Sequence, residues 1–337
     1  MAQAGRILLS AIADESAFHH TAVEQFSSLA AIGLEYYSLR SIDIGRGVKN
    51  VMKLTLADIQ KIRHIEDEYG LNVASIASPL GKIKLIDKPD GTKNIFRPWK
   101  HYLAHDVARA CELAHAFETK LIRGFSFYPP RGANPADYLT AAADRIGQIA
   151  EACHRSDLTF GLEVEANLVG HTGELLADIY RRVNHPGLVL VFDAANLIVQ
   201  GFSTTEVFRQ WEAMKPGIGW VHIKDYRKVS GQARGKHINE EMLANFVPAD
   251  RGTAGHERIL SDLRTMLPTL TKKLQRRGIP GVFLDLEPHV RGGGQYGGTS
   301  GPDGMGIALR ALCAVLEKAK VGYHLRDFDD LLAARGF

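Results

Sequence analysis

Residues 158–167 read LTFGLEVEAN, and this stretch is the starting point for interpreting the whole chain. Apolar and polar residues alternate from Leu158 to Leu162, which is the period of a β-strand. The same alternation puts Glu163 and Glu165 on one side of the strand. Because carboxylates cost free energy when they leave water uncompensated, two acids on an apolar strand indicate a metal or proton-transfer site. Two solvated acids at a strand end would produce the same pattern.

An apolar run that ends in a metal-ligand type of residue recurs three times later in the chain. The runs are 188–193 (LVLVFD), 219–225 (GWVHIKD) and 281–287 (GVFLDLE). In a parallel barrel all the strand ends converge on one face, and active sites lie on that face. The four runs together therefore favour one shared site over four unrelated strand ends.

The complete chain shows eight strand patterns separated by helical ones. Four strands are predicted ahead of those described above, at residues 6–13, 33–39, 71–78 and 120–128. Strands that alternate with helices imply a parallel sheet, and eight such units predict a single-domain (β/α)8 TIM barrel over residues 1–337. An open doubly wound sheet is the alternative, but no GxGxxG loop follows the first strand.

Composition and charge argue against several classes of protein. The formal net charge is only +3, which argues against a nucleic-acid binder. No run of about 18 apolar residues occurs, and the N-terminus lacks a signal-peptide pattern, so no membrane segment is expected. Three widely spaced cysteines without a CxxC pair indicate reduced thiols rather than a thiolate zinc site. These features predict a cytoplasmic protein that acts on a small molecule, and they leave a homo-oligomer open.

Several short motifs lie at or after the predicted strand ends. They are SPLGK (78–82), RGFSFYPP (123–130), LEVEA, VFDAANL, VHIKD, VPADRG, LEPH (286–289) and GGTSGPDG. In order and spacing they resemble the sugar phosphate isomerase/epimerase superfamily, whose members have a xylose isomerase-like TIM barrel. The superfamily hosts isomerases, epimerases, dehydratases, other lyases and nucleases, so the resemblance implies a fold and a metal site rather than one substrate.

The resemblance implies that one divalent ion is held by residues from strands five to eight. Carried over to this sequence, the ligands are Glu163, Asp193, His222 and Glu287. Glu165 lies close enough to Glu163 to be the alternative ligand on strand five. Three carboxylates and one imidazole form a hard site that favours Mn²⁺, with Mg²⁺, Co²⁺ or Zn²⁺ as alternatives. Asn196 stands where many sugar epimerases have a histidine, and this weakens the match to ketose 3-epimerases.

A metal site of this kind implies a chemistry. The ion would bind adjacent hydroxyl and carbonyl oxygens of a sugar and stabilise the enediolate formed when a neighbouring carbon loses its proton. Glu163 and Glu287 are predicted to transfer that proton, one as base and the other as acid. The predicted function is therefore a metal-dependent sugar isomerase or epimerase.

Two other functions fit the same sequence. A lyase or dehydratase acting on a keto-sugar, a keto-inositol or a 3-keto-glycoside would begin with the same proton abstraction. A sugar-binding protein without catalytic activity would need neither the two glutamates nor a tightly held metal.

Polar residues near the strand ends are candidate substrate contacts. They are Arg40, Lys82, Glu165, Asn196, Lys224 and Arg251. For the arginine and lysines at strand ends, ion pairs with barrel acids are the alternative interpretation.

Three further features are interpreted as structural. Arg123 lies inside the fourth strand. His237 and His256 lie in or beside a long polar loop, residues 229–255, and are predicted to be solvated surface histidines. The glycine-rich run 292–298 lacks the GK[ST] ending of a phosphate-binding loop, so it is predicted to be a lid or a turn-rich closing loop.

Overall fold

The computed structural model describes residues 7–228, 238, 240–294 and 297–334. Eight parallel strands form the central sheet: β1 (Ile7–Ala11), β2 (Tyr36–Leu39), β3 (Asn72–Leu80), β4 (Leu121–Gly124), β5 (Thr159–Glu163), β6 (Leu188–Asp193), β7 (Ile218–Ile223) and β8 (Val282–Leu286). Their order in the sheet is β1-β8-β7-β6-β5-β4-β3-β2. An isolated parallel bridge between Ile12 and Ser38 joins the two ends of the sheet. The predicted (β/α)8 barrel is therefore confirmed.

Helices connect the strands and pack around the sheet. They are α1 (Ala22–Ala31), α2 (Leu56–Tyr69), α3 (Ala108–Ala116), α4 (Leu139–Arg155), α5 (Gly173–Val183), α6 (Ala194–Ile198), α7 (Thr204–Met214), α8 (His256–Gln275), α9 (Gly301–Ala319) and α10 (Phe328–Ala334). A π-helical stretch, Tyr102–Val107, leads directly into α3. Among the described residues, no helix is both long and apolar enough to cross a membrane.

Local sequence signals set the ends of these elements. Helix α2 begins with a capping box, in which the Thr55 side chain accepts from Asp58 N and the Asp58 carboxylate accepts from Thr55 N. It ends at Gly70, whose φ of 60° lies in the left-handed region that suits glycine. These signals are local, which is why the sequence predicts this helix well.

Two strands are shorter than the sequence predicts. The second was expected over residues 33–39, but Gly33 takes a φ of 80° in a turn and the strand begins three residues later. The fourth was expected over residues 120–128, but its ladder ends at Gly124. Beyond that point Phe127 takes a φ of 69°, which a regular strand does not contain.

The predicted loop at residues 229–255 is only partly described. Its described portion includes the short strand Phe246–Val247, which pairs antiparallel with Asp225–Tyr226 at the end of β7. His237 lies outside the described residues. The hairpin carries Phe246 to the cavity described below, so at least this part of the predicted loop covers the strand ends.

The register of the sheet brings four polar residues into one row. Asp193 on β6 pairs with His222 on β7, which pairs with Asp285 on β8, which in turn pairs with Ser10 on β1. Paired positions on neighbouring parallel strands direct their side chains to the same face. All four are buried, so this face is the interior of the barrel.

Below this polar row, the side chain of Trp220 on β7 packs closely against Gly161 on β5. A Cβ atom on Gly161 of β5 would lie 2.0 Å from the ring of Trp220 on β7. Glycine at this position lets the buried indole fill the barrel axis below the acids. The polar row therefore faces only the C-terminal mouth of the barrel.

Glu66 is a buried acid that lies outside the barrel mouth. Glu66, in the last turn of α2, is 1% exposed, and its Oε1 accepts no hydrogen bond from the described chain. Arg63 approaches Oε2 at 3.5 Å. Burial raises the pKa of Glu66 to about 8, because the nearby arginine only partly compensates the loss of water.

We predict that Glu66→Gln flattens the dependence of stability on pH. The unfolded chain releases this proton near its ordinary pKa of 4.5, whereas the folded chain keeps it until about pH 8. In this window the folded state binds more protons. The free energy of unfolding therefore falls as pH rises, by about 1.4 kcal/mol per pH unit from this group. Urea unfolding at about pH 5.5 and 7.5 measures the difference.

Glu68→Gln, on the same helix, is the matched control because the Glu68 side chain is 58% exposed. It is expected to keep the wild-type pH dependence. If Glu66→Gln and the wild type lose the same stability between the two pH values, Glu66 is ionised in the folded protein and the prediction is wrong.

Candidate metal centre

The structure brings together the four predicted ligands at the mouth of the barrel. Glu163 ends β5, Asp193 ends β6, His222 lies near the end of β7, and Glu287 directly follows β8. One ligand atom from each lies within 4.8 Å of the others, and all four residues are buried. Converging strand ends place side chains that are far apart in sequence around one point.

The hydrogen bonding of this cluster fits a divalent ion. Glu163 Oε2, Asp193 Oδ2 and both ring nitrogens of His222 make no hydrogen bond with any described residue. Their nearest charged partners make ion pairs without hydrogen-bond geometry, with Arg123 Nη1 3.3 Å from Glu163 Oε2 and Lys224 Nζ 3.0 Å from Asp193 Oδ2. Several buried polar atoms with unfilled hydrogen-bonding capacity, gathered at one place, favour a bound ligand. Carboxylate oxygens with one imidazole suit Mn²⁺, Mg²⁺ or Zn²⁺.

The charges around the cluster lead to the same conclusion. The mouth of the barrel buries six carboxylates, namely Asp14, Glu15, Glu163, Asp193, Asp285 and Glu287. The buried lysine and arginine side chains that contact them are Arg40, Arg123 and Lys224. Even with His222 counted as a fourth cation, six ionised carboxylates among the described residues would leave negative charge in excess, and a divalent cation would reduce it.

Arg40 and Lys224 were predicted as substrate contacts and are found in ion pairs with the acids. Arg40 Nη1 lies 2.9 Å from Glu287 Oε1, and its Nε lies 3.1 Å from the Asp14 carboxylate. Lys224 Nζ lies 2.7 Å from Glu287 Oε2 and 3.0 Å from Asp193 Oδ2. Both cations therefore hold the acidic cluster, while also lining the cavity described below.

Proton affinities in the cluster differ because of these contacts. Burial alone would raise the pKa of Glu163, but His222 and Arg123 outweigh it and lower the pKa to about 2. Burial raises the pKa of Asp193 to about 6, against the attraction of Lys224. Burial alone would lower the pKa of His222, but the two glutamates raise the pKa to about 10. A metal at this site would therefore have to displace the proton from His222.

A second layer of side chains orients the ligands. Asp285 accepts hydrogen bonds from Ser10 Oγ at 2.9 Å and Ser38 Oγ at 2.6 Å, and its Oδ2 lies 3.7 Å from His222 Nε2. Asn196 Nδ2 donates to Glu163 Oε1 at 3.3 Å. Such partners fix the direction of the first ligands and leave Nδ1 of the histidine facing the two glutamates, each at 3.5 Å.

A cavity of about 620 Å³ opens above the cluster. Of the predicted substrate contacts, five line it: Arg40, Lys82, Glu165, Asn196 and Lys224. Arg251 does not. Its backbone N donates to Pro248 O in a turn, and its side chain is 64% exposed beside Asp250. Arg251 therefore lies outside the cavity in this structure, with its side chain directed to solvent, and its contact with substrate stays a prediction.

Comparison with protein-family models decides the classification. The model described as xylose isomerase-like TIM barrel matches residues 26–314. The chain belongs to the xylose isomerase-like TIM barrel family. The resemblance that the sequence motifs indicated is thereby confirmed.

A curated relative matches a short part of the chain. The chain is 32% identical over 99 residues to the uncharacterized protein YihM of Escherichia coli (strain K12). The match covers 29% of this chain and 28% of YihM, so it says nothing about either whole protein.

Three solved structures share the barrel at low identity. A xylose isomerase-like TIM barrel protein from Mycobacterium smegmatis in complex with magnesium is 16% identical, with a TM-score of 0.59 over 94% of this chain and 96% of that one. The probable 3-DHS dehydratase AsbF from Bacillus anthracis is 14% identical, with a TM-score of 0.58 over 91% and 98%. D-psicose 3-epimerase from Clostridium cellulolyticum H10, solved with D-tagatose, is 13% identical, with a TM-score of 0.57 over 93% and 98%. These likenesses concern the fold.

The two candidate glutamates, Glu163 and Glu165, differ in burial and in position. Glu163 is 1% exposed and belongs to the four-residue cluster. Glu165 lies beyond the strand, with its side chain 25% exposed and its carboxylate 3.2 Å from Lys82 Nζ. The geometry favours Glu163 as the ligand and places Glu165 on the cavity wall.

Arg123 lies inside β4, as expected, whereas His256 is not at the surface. Arg123 lines the cavity, with Nη1 3.3 Å from Glu163 Oε2 and 3.8 Å from Glu287 Oε1. His256 was expected at the surface but is 2% exposed, and its Nε2 lies 2.9 Å from the carbonyl of Lys224. It starts α8 and contacts Lys224 and Asp225, the two residues that follow β7.

Two functional candidates were missed altogether. Glu15 and His289 contact each other at the rim of the cluster, with Nδ1 2.6 Å from Oε1. His289 follows Glu287 by two residues in LEPH, a spacing that returns a side chain to the same face and could have drawn attention to it. Glu15 follows an apolar strand, as do the three acids of the predicted ligand set.

We predict that a divalent ion stabilises the wild type more than Glu163→Gln. Protein stripped with EDTA and then given Mn²⁺ at about 100 times its Kd should gain about 2.7 kcal/mol, or about 5 °C in Tm. Glu163→Gln should show little gain, because one buried ligand is lost. Glu165→Gln is the matched control and should keep the gain. Equal gains in both variants, by calorimetry, would remove Glu163 from the ligand set.

Proposed function

We propose that the protein is a divalent-metal-dependent sugar isomerase or epimerase that removes a proton next to a carbonyl group and proceeds through an enediolate. The observation that carries this proposal is the convergence of Glu163, Asp193, His222 and Glu287 below an open polar cavity. The four residues would hold the ion, for which Mn²⁺ is the first choice and Mg²⁺ the second. When bound, the ion would act as a Lewis acid on adjacent substrate oxygens.

Glu163 and Glu287 are proposed to move the substrate proton. Their carboxylates flank the imidazole of His222, each 3.5 Å from Nδ1, so they approach the site from two sides. Both have lowered pKa values, since burial is outweighed by the neighbouring charges, and both are ionised at neutral pH. An ionised carboxylate beside the substrate can accept the proton from carbon. Because the other carboxylate also starts ionised, it would have to take up a proton from solvent before it could return one to the enediolate.

The cavity wall would bind the rest of the sugar. Lys82 lies 3.2 Å from Glu165 and 4.3 Å from the centre of the Phe125 ring. This group offers a donor, an acceptor and an apolar face, which is the combination that binds a polyhydroxylated ring. Arg40, Asn196 and Lys224 would contact substrate where they face the cavity, in addition to holding the acids.

A lyase or dehydratase that acts on a keto-sugar, a keto-inositol or a 3-keto-glycoside is the second candidate. It is supported by the shared first step and by the low-identity fold likeness to a probable dehydratase. A sugar-binding protein without activity is the third, and it would tolerate loss of either glutamate. Measurement of product mass separates the first two, because isomerisation conserves mass and elimination does not.

We predict that Glu163→Gln and Glu287→Gln each lower solvent deuterium uptake into the substrate by about 10² to 10⁴-fold. The assay uses Mn²⁺-loaded protein and a panel of D-fructose, D-tagatose, D-psicose, a keto-inositol and a 3-keto-glycoside. Deuterium in each sugar is measured by mass spectrometry. Glu165→Gln is the control and should retain exchange at the reacting carbon. Circular dichroism checks that the variants fold.

Two results would overturn the proposal. If Glu163→Gln and Glu287→Gln both exchange at the wild-type rate, these residues do not carry the proton. If no sugar of the panel takes up deuterium with the metal-loaded wild type, proton abstraction from this class of substrate is excluded.

A further inference from the structure

A carboxylate and an imidazole form a pair beside the metal centre. Glu15 lies in the turn after β1 and is completely buried, while His289 follows β8. His289 Nδ1 lies 2.6 Å from Glu15 Oε1, an ion-pair distance, although the contact lacks hydrogen-bond geometry and Nδ1 makes no hydrogen bond with the described chain. We call this pair the Glu15–His289 dyad.

Glu15 is held so firmly that it can orient the ring. Its Oε2 accepts from the backbone N of His289 at 2.9 Å and from Ser300 Oγ at 3.2 Å. Arg40 Nη2 lies 3.4 Å from Oε1. A buried carboxylate with partners on both oxygens has a single orientation, so the position of Nδ1 is fixed with it.

The glycine-rich hairpin Gly293–Gly294 and Gly297–Gly298 clamps the ring from outside. A Cβ atom would lie 2.9 Å from the His289 ring at Gly293 and 2.3 Å at Gly298, so only glycine fits against it. Phe246 packs edge-on at 4.9 Å between ring centres. His289 itself takes a φ of 50°. This left-handed backbone conformation is uncommon for residues other than glycine, and such conformations cluster at functional sites. The glycine run thus has a use that its sequence alone did not reveal.

The opposite edge of the ring faces the substrate cavity. His289 lines this cavity together with Glu287 and Lys224, and its Nε2 has no hydrogen bond with any described residue. Since Glu15 holds Nδ1, Nε2 is the atom available to a bound molecule. With its proton on Nδ1, towards the Glu15 carboxylate, the ring would present Nε2 as an acceptor when neutral and as a donor when charged.

A second metal ion is a poorer explanation for the same residues. Glu15, Glu287 and His289 have ligand atoms within 4.8 Å of one another. However, the Arg40 guanidinium already lies 2.9 Å from Glu287 and 3.4 Å from Glu15. A cation placed there would meet this fixed positive charge, so the three residues are better explained as a protein-based contact site.

We propose that His289 is a further catalytic residue, which binds one oxygen of the substrate through Nε2, and that Glu15 is its positioning residue. The proposal rests on the proposed function, because it assumes a sugar above the metal centre. It adds that the substrate carries a hydroxyl or carbonyl oxygen on the Glu287 side of the reacting carbon. Removing that oxygen leaves a buried polar ring without a partner, so the dyad selects against such analogues.

Two variants of His289 separate contact from structure. The amide nitrogen of asparagine lies near the position of Nδ1, whereas that of glutamine reaches the position of Nε2. His289→Asn should therefore keep the Glu15 partner and lose the substrate contact, lowering kcat/KM at least about tenfold. His289→Gln should recover part of that loss. Both should bind as much metal as the wild type, measured by elemental analysis.

Deoxy sugars give a readout that a purely structural role would not move. Each sugar of the panel that exchanges with the wild type is compared with its monodeoxy analogues. With the wild type, one analogue should have a kcat/KM at least about tenfold lower than that of its parent sugar. With His289→Asn, the same analogue and its parent should have equal kcat/KM values. If every analogue shows the same ratio in both proteins, the contact does not exist.

A measurement without substrate tests whether Glu15 positions the His289 ring. In protein labelled with ¹⁵N-histidine, the His289 signals, identified by their loss in His289→Asn, should show the proton on Nδ1. In Glu15→Gln this preference should weaken. A neutral ring protonated on Nε2 in the wild type would overturn the dyad, even if the sugar exchange succeeds. Loss of metal in His289→Asn would overturn it in favour of a metal ligand.

The outcomes remain distinct from those of the proposed function. If no panel sugar exchanges, the proposed function fails and the substrate contact fails with it, although the Nδ1 proton would still be seen. If exchange occurs but His289→Asn behaves as the wild type, only the contact at His289 is excluded.

Discussion

An excess of negative charge, buried at the C-terminal end of the barrel, is the constraint on which the rest of the site depends. Carboxylates are rarely removed from water without partners, since the loss of hydration exceeds what a single contact returns. Here Arg40, Arg123 and Lys224 each contact at least one of the cluster's carboxylates. Even so, oxygens of Glu163 and Asp193 remain without hydrogen bonds in the described chain. A divalent ion is the simplest group that would complete this arrangement.

The barrel supplies the rigidity that such a site requires. The parallel register aligns Asp193, His222 and Asp285 in one row, and Trp220 fills the space beneath it. Three of the proposed ligands therefore stand on strands and Glu287 directly follows one, with Asn196 and the serine-bound Asp285 beside Glu163 and His222. Sites built on rigid elements hold their geometry more closely than sites built on loops.

Two groups of residues lie at the mouth of the barrel, one at the strand ends and one in the turns that follow. The strand ends hold the proposed metal and proton carriers, and the turns after β1 and β8 hold the Glu15–His289 dyad. The glycine hairpin lets the backbone approach the imidazole closely enough to fix it. Function on a shared barrel varies through such additions at the strand ends, so the dyad is the kind of feature that would distinguish this member from others of its family.

The sequence by itself determined the alternation of apolar strands and amphipathic helices, and from it the barrel, because both patterns are local and repeat with their own periods. It also showed that apolar runs recur with acidic or histidine residues near their ends, and the family resemblance then selected the four residues that meet within 4.8 Å. Only the tertiary structure decided the partners of Arg40 and Arg123, the burial of His256 and the pairing of Glu15 with His289, which are 274 residues apart. Contacts across a barrel depend on strand register and on the path of each turn, and no local pattern in the chain encodes these distances.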